Sequence, residues 1–205
     1  MTDLAGTEVP ALVQQAHGAA RRIGFPVTRD DPGHGHGSAS LPGTGRFLAM
    51  LAAGCTRGSI AELGTGAGIG SAWMAAAMPA DCRLATAEID PVRAAAAAEV
   101  LRGDDRVRVL TGDWAALLPP LGPYDLIFCD SGVQDAATFG GLVDLLKPGG
   151  RIVMDDVTPV LALPAGSPFR HADPKREYFA GEPRLVWTEV VLPDLANSLL
   201  VGTGK

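Results

Sequence analysis

Glu62-Leu63-Gly64-Thr65-Gly66-Ala67-Gly68-Ile69-Gly70-Ser71 joins an apolar run, Ser59 to Leu63, to a helical stretch, Ser71 to Met78. A strand, a glycine loop and a helix in that order form the turn on which open α/β sheets bind their ligands. Glycine lets the backbone bend sharply there and approach a ligand with no Cβ in the way. The spacing is not the dinucleotide fingerprint G-x-G-x-x-G: counted from Gly64 its last glycine would be Ile69, and counted from Gly66 it would be Ser71.

The same alternation continues outward. Arg83 to Ile89, Val107 to Leu110, Asp125 to Cys129 and Arg151 to Met154 read as further strands. Val92 to Leu101 and Phe139 to Leu146 read as helices, the second closed by Lys147-Pro148-Gly149-Gly150. Strands that are apolar throughout and separated by helices predict a parallel sheet covered on both faces. Leu185 to Leu192 and Ser198 to Gly202, joined by a turn at 193–197, predict a final hairpin that adds an antiparallel strand. Upstream, helices are expected from Ala11 to Ile23 and from Pro42 to Gly54. Between them lies a flexible loop, Gly33-His34-Gly35-His36-Gly37. The expected organisation is one α/β domain over 1–205, with residues 1–37 as an N-terminal addition and 38–205 as the core.

Composition narrows the function. The chain has 205 residues, 47% hydrophobic and 20% charged, with a net charge of −6, which disfavours a phosphate-coating nucleic-acid binder. No apolar run approaches the roughly 18 residues of a membrane span, and no secretion signal is visible at the N-terminus. Cys55, Cys82 and Cys129 are scattered without disulfide or zinc spacing and are expected to fill buried gaps. A cytoplasmic protein is expected.

Charge discriminates between ligands of the loop. Glu62 lies two residues before Gly64, where its carboxylate would repel a pyrophosphate and attract an ammonium group. S-adenosylmethionine (SAM) carries an ammonium and a sulfonium and no phosphate. Glu88 ends the second strand, followed by Ile89, and is placed to accept from both ribose hydroxyls. Asp90 precedes Pro91 and reads as a helix N-cap. Asp113 ends the third strand, placed to accept from an adenine amino group, and the ring of Trp114 could cover the base.

Glu62-Leu63-Gly64-Thr65-Gly66-Ala67-Gly68, Glu88, Gly112-Asp113, Tyr124 to Asp130 and Leu146-Lys147-Pro148-Gly149-Gly150 occur in order over residues 38–205. Together they resemble class I SAM-dependent methyltransferases, and most closely the catechol O-methyltransferase-like family. The resemblance implies a seven-stranded Rossmann-like sheet of order 3-2-1-4-5-7-6. It also implies a SAM site at Glu62, Gly64, Thr65, Gly66, Gly68, Glu88, Ile89, Asp113, Trp114 and Asp130, and pairing as a homodimer through the N-terminal helices. The expected reaction is methyl transfer to a hydroxyl of a small molecule, with Asp130 positioning acceptor and cofactor.

Asp130, Asp155 and Asp156 end the fourth and fifth strands, and the family places a divalent ion, Mg²⁺, on that trio. Two positions depart from the family. Asp156 stands where it has Asn, and Val133 where it has a lysine base. His171, in a Pro- and charge-rich loop from Thr158 to Lys175, is then the candidate base, with His34 and His36 as alternatives. Three other readings stay open: a protein that binds SAM or S-adenosylhomocysteine (SAH) without turnover, transfer to nitrogen, and a nicotinamide oxidoreductase, which Glu62 and the glycine spacing disfavour.

Overall fold

The computed structural model describes residues 8–28, 30–32, 39–131, 133–170, 173–192 and 197–205. His34, His36, His171 and most of the turn at 193–197 lie outside those residues.

Seven strands form one sheet of order β3-β2-β1-β4-β5-β7-β6. They are β1 (Ser59–Leu63), β2 (Arg83–Glu88), β3 (Val107–Thr111), β4 (Tyr124–Cys129), β5 (Leu146–Val157), β6 (Leu185–Val191) and β7 (Ser198–Gly204). The first five are parallel, and β7 runs antiparallel to both β5 and β6. Among the described residues seven α-helices accompany them: α1 (Ala11–Arg22), α2 (Pro42–Ala53), α3 (Ile69–Ala77), α4 (Pro91–Leu101), α5 (Trp114–Leu117), α6 (Ala136–Val143) and α7 (Pro174–Ala180).

Successive strand residues point to opposite faces, which divides the core in two. Ile60, Leu84, Leu126, Phe128 and Val153 pack with Leu48 of α2 and Met74 of α3. Ala61, Ala85, Ile127, Cys129 and Ile152 pack on the other face with Phe139 of α6 and Phe179 of α7. The apolar side of α1, through Val13, Ala16 and Ala20, is buried with Ile69 and Trp73 of α3 and Leu101 of α4. All three cysteines are free and buried, as expected.

Several boundaries differ from the sequence reading, three of them for a reason visible in the local geometry. The third helix begins at Ile69 rather than Ser71, because Gly68, at φ 88°, ends the glycine loop immediately before it. The sixth begins at Ala136 rather than Phe139, because the Asp135 carboxylate caps it by accepting from the Thr138 amide at 2.7 Å. Lys147 to Gly150 belongs to β5. Tyr124 pairs with Leu146 but Leu126 with Arg151, so β5 advances five residues while β4 advances two, and the surplus bulges.

A second irregularity lies at the other end of β5, where its register with β7 shifts between Met154 and Val157. Asp156 sits there with φ 58°, a left-handed conformation in which a non-glycine residue is strained. The backbone turn separates two neighbouring acids: Asp155 is buried at 3% exposure, and Asp156 is exposed.

Candidate functional site

The glycine loop is fastened from β2. Glu88 Oε2 accepts from the Gly66 amide at 2.7 Å, and Oε1 accepts from the Asp90 amide at 3.0 Å. Thr65 shares a hydrogen bond with Thr86 across the hydroxyls at 2.5 Å, and its amide donates to the Ala87 carbonyl. Gly64 is required on two counts. Its φ is 85°, and a Cβ there would overlap Ser131 Oγ.

A cavity of about 520 Å³ opens over the carboxyl ends of β1 to β4, a volume typical of small-molecule sites. Gly64, Glu88, Ile89, Asp113 and Trp114 line it, five of the residues expected from sequence. Asp113 also caps α5, accepting from the Ala115 amide at 3.0 Å. Asp90 caps α4 as expected, accepting from Val92 and Arg93 amides. Ser131, Gln134 and Thr138 complete the wall from the chain after β4. Sequence reasoning passed over these three: they reach the cavity because β4 lies beside β1, and no local pattern marks them.

Glu62 stands elsewhere than expected. Its carboxylate is buried beneath the loop, accepting from the Ser71 hydroxyl and from Thr86 Oγ1 at 2.7 Å. A Cβ on Gly70 would collide with it. Burial pushes its pKa up to about 7, against the pull of the Ser71 and Thr86 hydrogen bonds. Glu62 and Asp130, with Thr65, Gly66 and Ser40, border a second, far smaller space of about 10 Å³, room for no more than a water. The sequence had Glu62 facing the ligand crevice. The structure gives it a supporting position next to that crevice.

Asp130 directly follows β4, its amide donating to the Leu63 carbonyl at 3.0 Å. Burial of its carboxylate raises its pKa well above the usual range. Repulsion from Asp155, Asp156 and Glu62 adds to this, and Lys175 opposes it. Asp155 is raised by burial too. Its Oδ1 accepts from Asn197 Nδ2 at 2.6 Å and from the Asp156 amide at 2.7 Å.

These acids do not fit a divalent ion. Among the described residues no three of His, Cys, Asp and Glu form a group that could hold a metal. One Asp155 oxygen is already spent on two donors, and Asp156 is exposed to solvent. A cation of the chain's own is present instead: Lys175 Nζ donates to the carbonyl of Asp155 at 2.7 Å and lies 3.3 Å from that of Asp156. The Pro- and charge-rich sequence from Thr158 to Lys175 reads as a loop, whereas Lys175 lies in α7. Asp173-Pro174, an N-cap followed by proline at the first helical position, was the available signal for α7.

A family described as "Methyltransferase domain" matches residues 61–157. A catechol O-methyltransferase from Niastella koreensis is 34% identical over 166 residues, covering 77% of this chain and 70% of that protein. The O-methyltransferase TomG of Streptomyces achromogenes, solved in complex with SAM, superposes with a TM-score of 0.74 at 25% identity, covering 98% and 92% of the two chains. An O-methyltransferase from Bacillus cereus in complex with SAH shares the fold, with a TM-score of 0.75 at 23% identity over 98% and 94%. By fold and kinship, this chain belongs to the class I SAM-dependent O-methyltransferases.

Proposed function

We propose that the chain transfers the methyl group of SAM to a hydroxyl oxygen of a small molecule. The observation that carries this reading is the cavity beyond β1 to β4, with an acid at the end of β2 and an acid and an aromatic ring after β3. When bound, SAM would supply an activated methyl carbon, and the protein's part is alignment and exclusion of water.

The residues present suit that cofactor. Glu88 keeps accepting capacity beyond its two backbone donors, enough for ribose hydroxyls. Ile89, 74% exposed, and half-buried Trp114 offer apolar surface to an adenine ring, with the Asp113 carboxylate near its amino group. Glu62 and Asp130 put acidic groups under the loop, on the side where the ammonium end would lie. Asp130, after β4, is the positioning group between cofactor and acceptor. No step is assigned to Mg²⁺ or to His171.

The reading extends to a cytoplasmic setting, which three free buried cysteines suit. A homodimer through the N-terminal helices would use the side of α1 left free by α3 and α4.

Calorimetry with SAM and with NADH tests the cofactor, and a catechol and flavonoid panel scored by SAH release tests turnover. NADH binding without SAM binding would overturn the reading. SAM binding with no SAH release from any hydroxyl compound would reduce it to a binding protein, a reading that Val133 at the family's lysine position favours.

A further inference from the structure

We propose that Phe25 is a cofactor-binding residue whose ring closes the amino-acid end of the SAM site. The tail of the cofactor displaces the ring to enter and is held behind it afterwards. This rests on the cofactor reading above.

The first ground is placement. The two spaces at the glycine loop are neighbours: Gly64 and Ser131 line the large one, and Thr65 and Asp130, each next to them in the chain, border the small one. Adenosine and sulfur have room in the first. The tail, a short carbon chain carrying an ammonium and a carboxylate, has the second, where Glu62 and Asp130 would meet its ammonium. Phe25 borders that small space too and is only 7% exposed. At about 10 Å³ the space holds no more than a water, so the tail enters only if a wall yields.

The second ground is which wall can yield. Glu62 belongs to β1, and the loop itself is fastened, Gly66 to Glu88 and Thr65 to Thr86. Phe25 comes from the N-terminal addition. Gly24, at φ 69°, ends α1 in a Schellman turn, its amide donating to the Arg21 carbonyl at 3.2 Å and the Phe25 amide to the Ala20 carbonyl at 2.9 Å. The turn directs the ring onto Gly66, where a Cβ would lie 3.0 Å from Phe25 Cζ. Ser40 reaches the same space from a chain anchored beside Phe25, since the Ala39 amide donates to the Pro26 carbonyl at 2.9 Å.

The third ground is the fastening of the ring. The Arg93 guanidinium of α4 lies 4.9 Å from its centroid, a cation–π contact from a side chain that is 36% exposed. A contact of that kind at the surface is weak enough to break and re-form. Rotation of the Phe25 side chain opens the small space while the Schellman turn keeps its backbone in place. The adenosine end seats without meeting this barrier; the tail crosses it on the way in and again on the way out.

The test is surface plasmon resonance on the immobilised full chain. It compares SAH with 5′-deoxy-5′-methylthioadenosine, which keeps adenosine and sulfur but lacks the amino-acid tail. SAH should associate with the wild type at least tenfold more slowly than methylthioadenosine. Phe25→Ala should raise the association and dissociation rates of SAH at least fivefold and leave those of methylthioadenosine within twofold. Arg93→Met keeps the ring and releases its grip, and should raise both SAH rates at least twofold; it carries the test if Phe25→Ala does not fold. Equal association of the two ligands with the wild type, unchanged SAH rates in the variants, or equal acceleration of both ligands would overturn the proposal. So would SAH binding without methylthioadenosine binding. Failure of the wild type to bind SAH would instead overturn the cofactor reading, and this inference with it.

Discussion

Glu88 of β2 accepts the Gly66 amide at 2.7 Å, so one carboxylate both faces the cavity and fixes the loop that follows β1. Two roles in one group make its removal more costly than the loss of a single ligand contact. A hydrogen bond to a charged group is worth about 1.5–3 kcal/mol. Glu88→Ala should therefore weaken SAM binding at least tenfold in calorimetry, with a lower unfolding midpoint. An unchanged dissociation constant would remove Glu88 from the site.

Gly64 offers a second probe of the loop. An alanine there must hold φ near 85° and place its Cβ against Ser131 Oγ, on the chain leaving β4. Strained left-handed positions cost about 1–3 kcal/mol each. Gly64→Ala should lower thermal stability and reduce SAM affinity together. Ser131→Gly in the same chain should recover part of both, because it removes the overlap and leaves only the strain.

Glu62 makes stability depend on pH. Its folded pKa of about 7 lies above its ordinary 4.5, so the folded state keeps a proton that the unfolded chain has lost between those values. This contribution is complete below pH 4.5 and is lost as pH rises through 7; Asp130 and Asp155, also raised, act in the same direction. Glu62→Gln keeps the shape and removes the ionisation. Its stability relative to wild type should rise between pH 5 and pH 8 by up to about 3 kcal/mol in urea unfolding of the SAM-free protein. A constant difference across that range would show that Glu62 stays ionised.

The glycine loop, the alternation of strands and helices and the acids at strand ends were legible because each is a local pattern. Gly68 before α3, Asp90-Pro91 before α4 and the apolar run of β4 state their structure within a few residues. The site's remaining residues are products of long-range assembly. Ser131 meets Gly64 only because β4 pairs with β1, and Asn197 reaches Asp155 only through the β5–β7 pairing. The metal expectation needs more than residue type: one Asp155 oxygen is taken by Asn197 and the Asp156 amide, and Asp156 is exposed on a backbone turn at φ 58°. Residue type alone does not reveal such a turn. Lys175 was within reach, because Asp173-Pro174 announces a helix where proline and charge suggested only loop.

Arg176 should separate folding from cofactor binding. Its partners Asp173 and Glu189 are 15% and 23% exposed, so removing the guanidinium leaves two carboxylates largely shielded from water. A fully buried broken pair costs about 3–5 kcal/mol, and partial exposure reduces that to about 1–3 kcal/mol here. Arg176→Met should lower the urea midpoint accordingly and loosen α7. SAH affinity should hold within about twofold, since no wall of the large cavity comes from α7.

Trp114 lines the cavity half-buried and also packs on the core face that holds Phe139. If an adenine covers the ring, aromatic contact should contribute about 0.5–1.5 kcal/mol beyond the area it buries. Trp114→Phe keeps a flat ring and should lose little affinity for SAM, whereas Trp114→Ala should lose about tenfold. Trp114→Phe should unfold within a few degrees of wild type and Trp114→Ala somewhat lower, because the ring also packs on the core. Binding of SAH should quench the Trp114 fluorescence, read as the part of the wild-type signal change that Trp114→Phe no longer gives. Equal SAM affinity in Trp114→Ala and wild type would place the adenine away from this ring and leave Ile89 as its apolar wall.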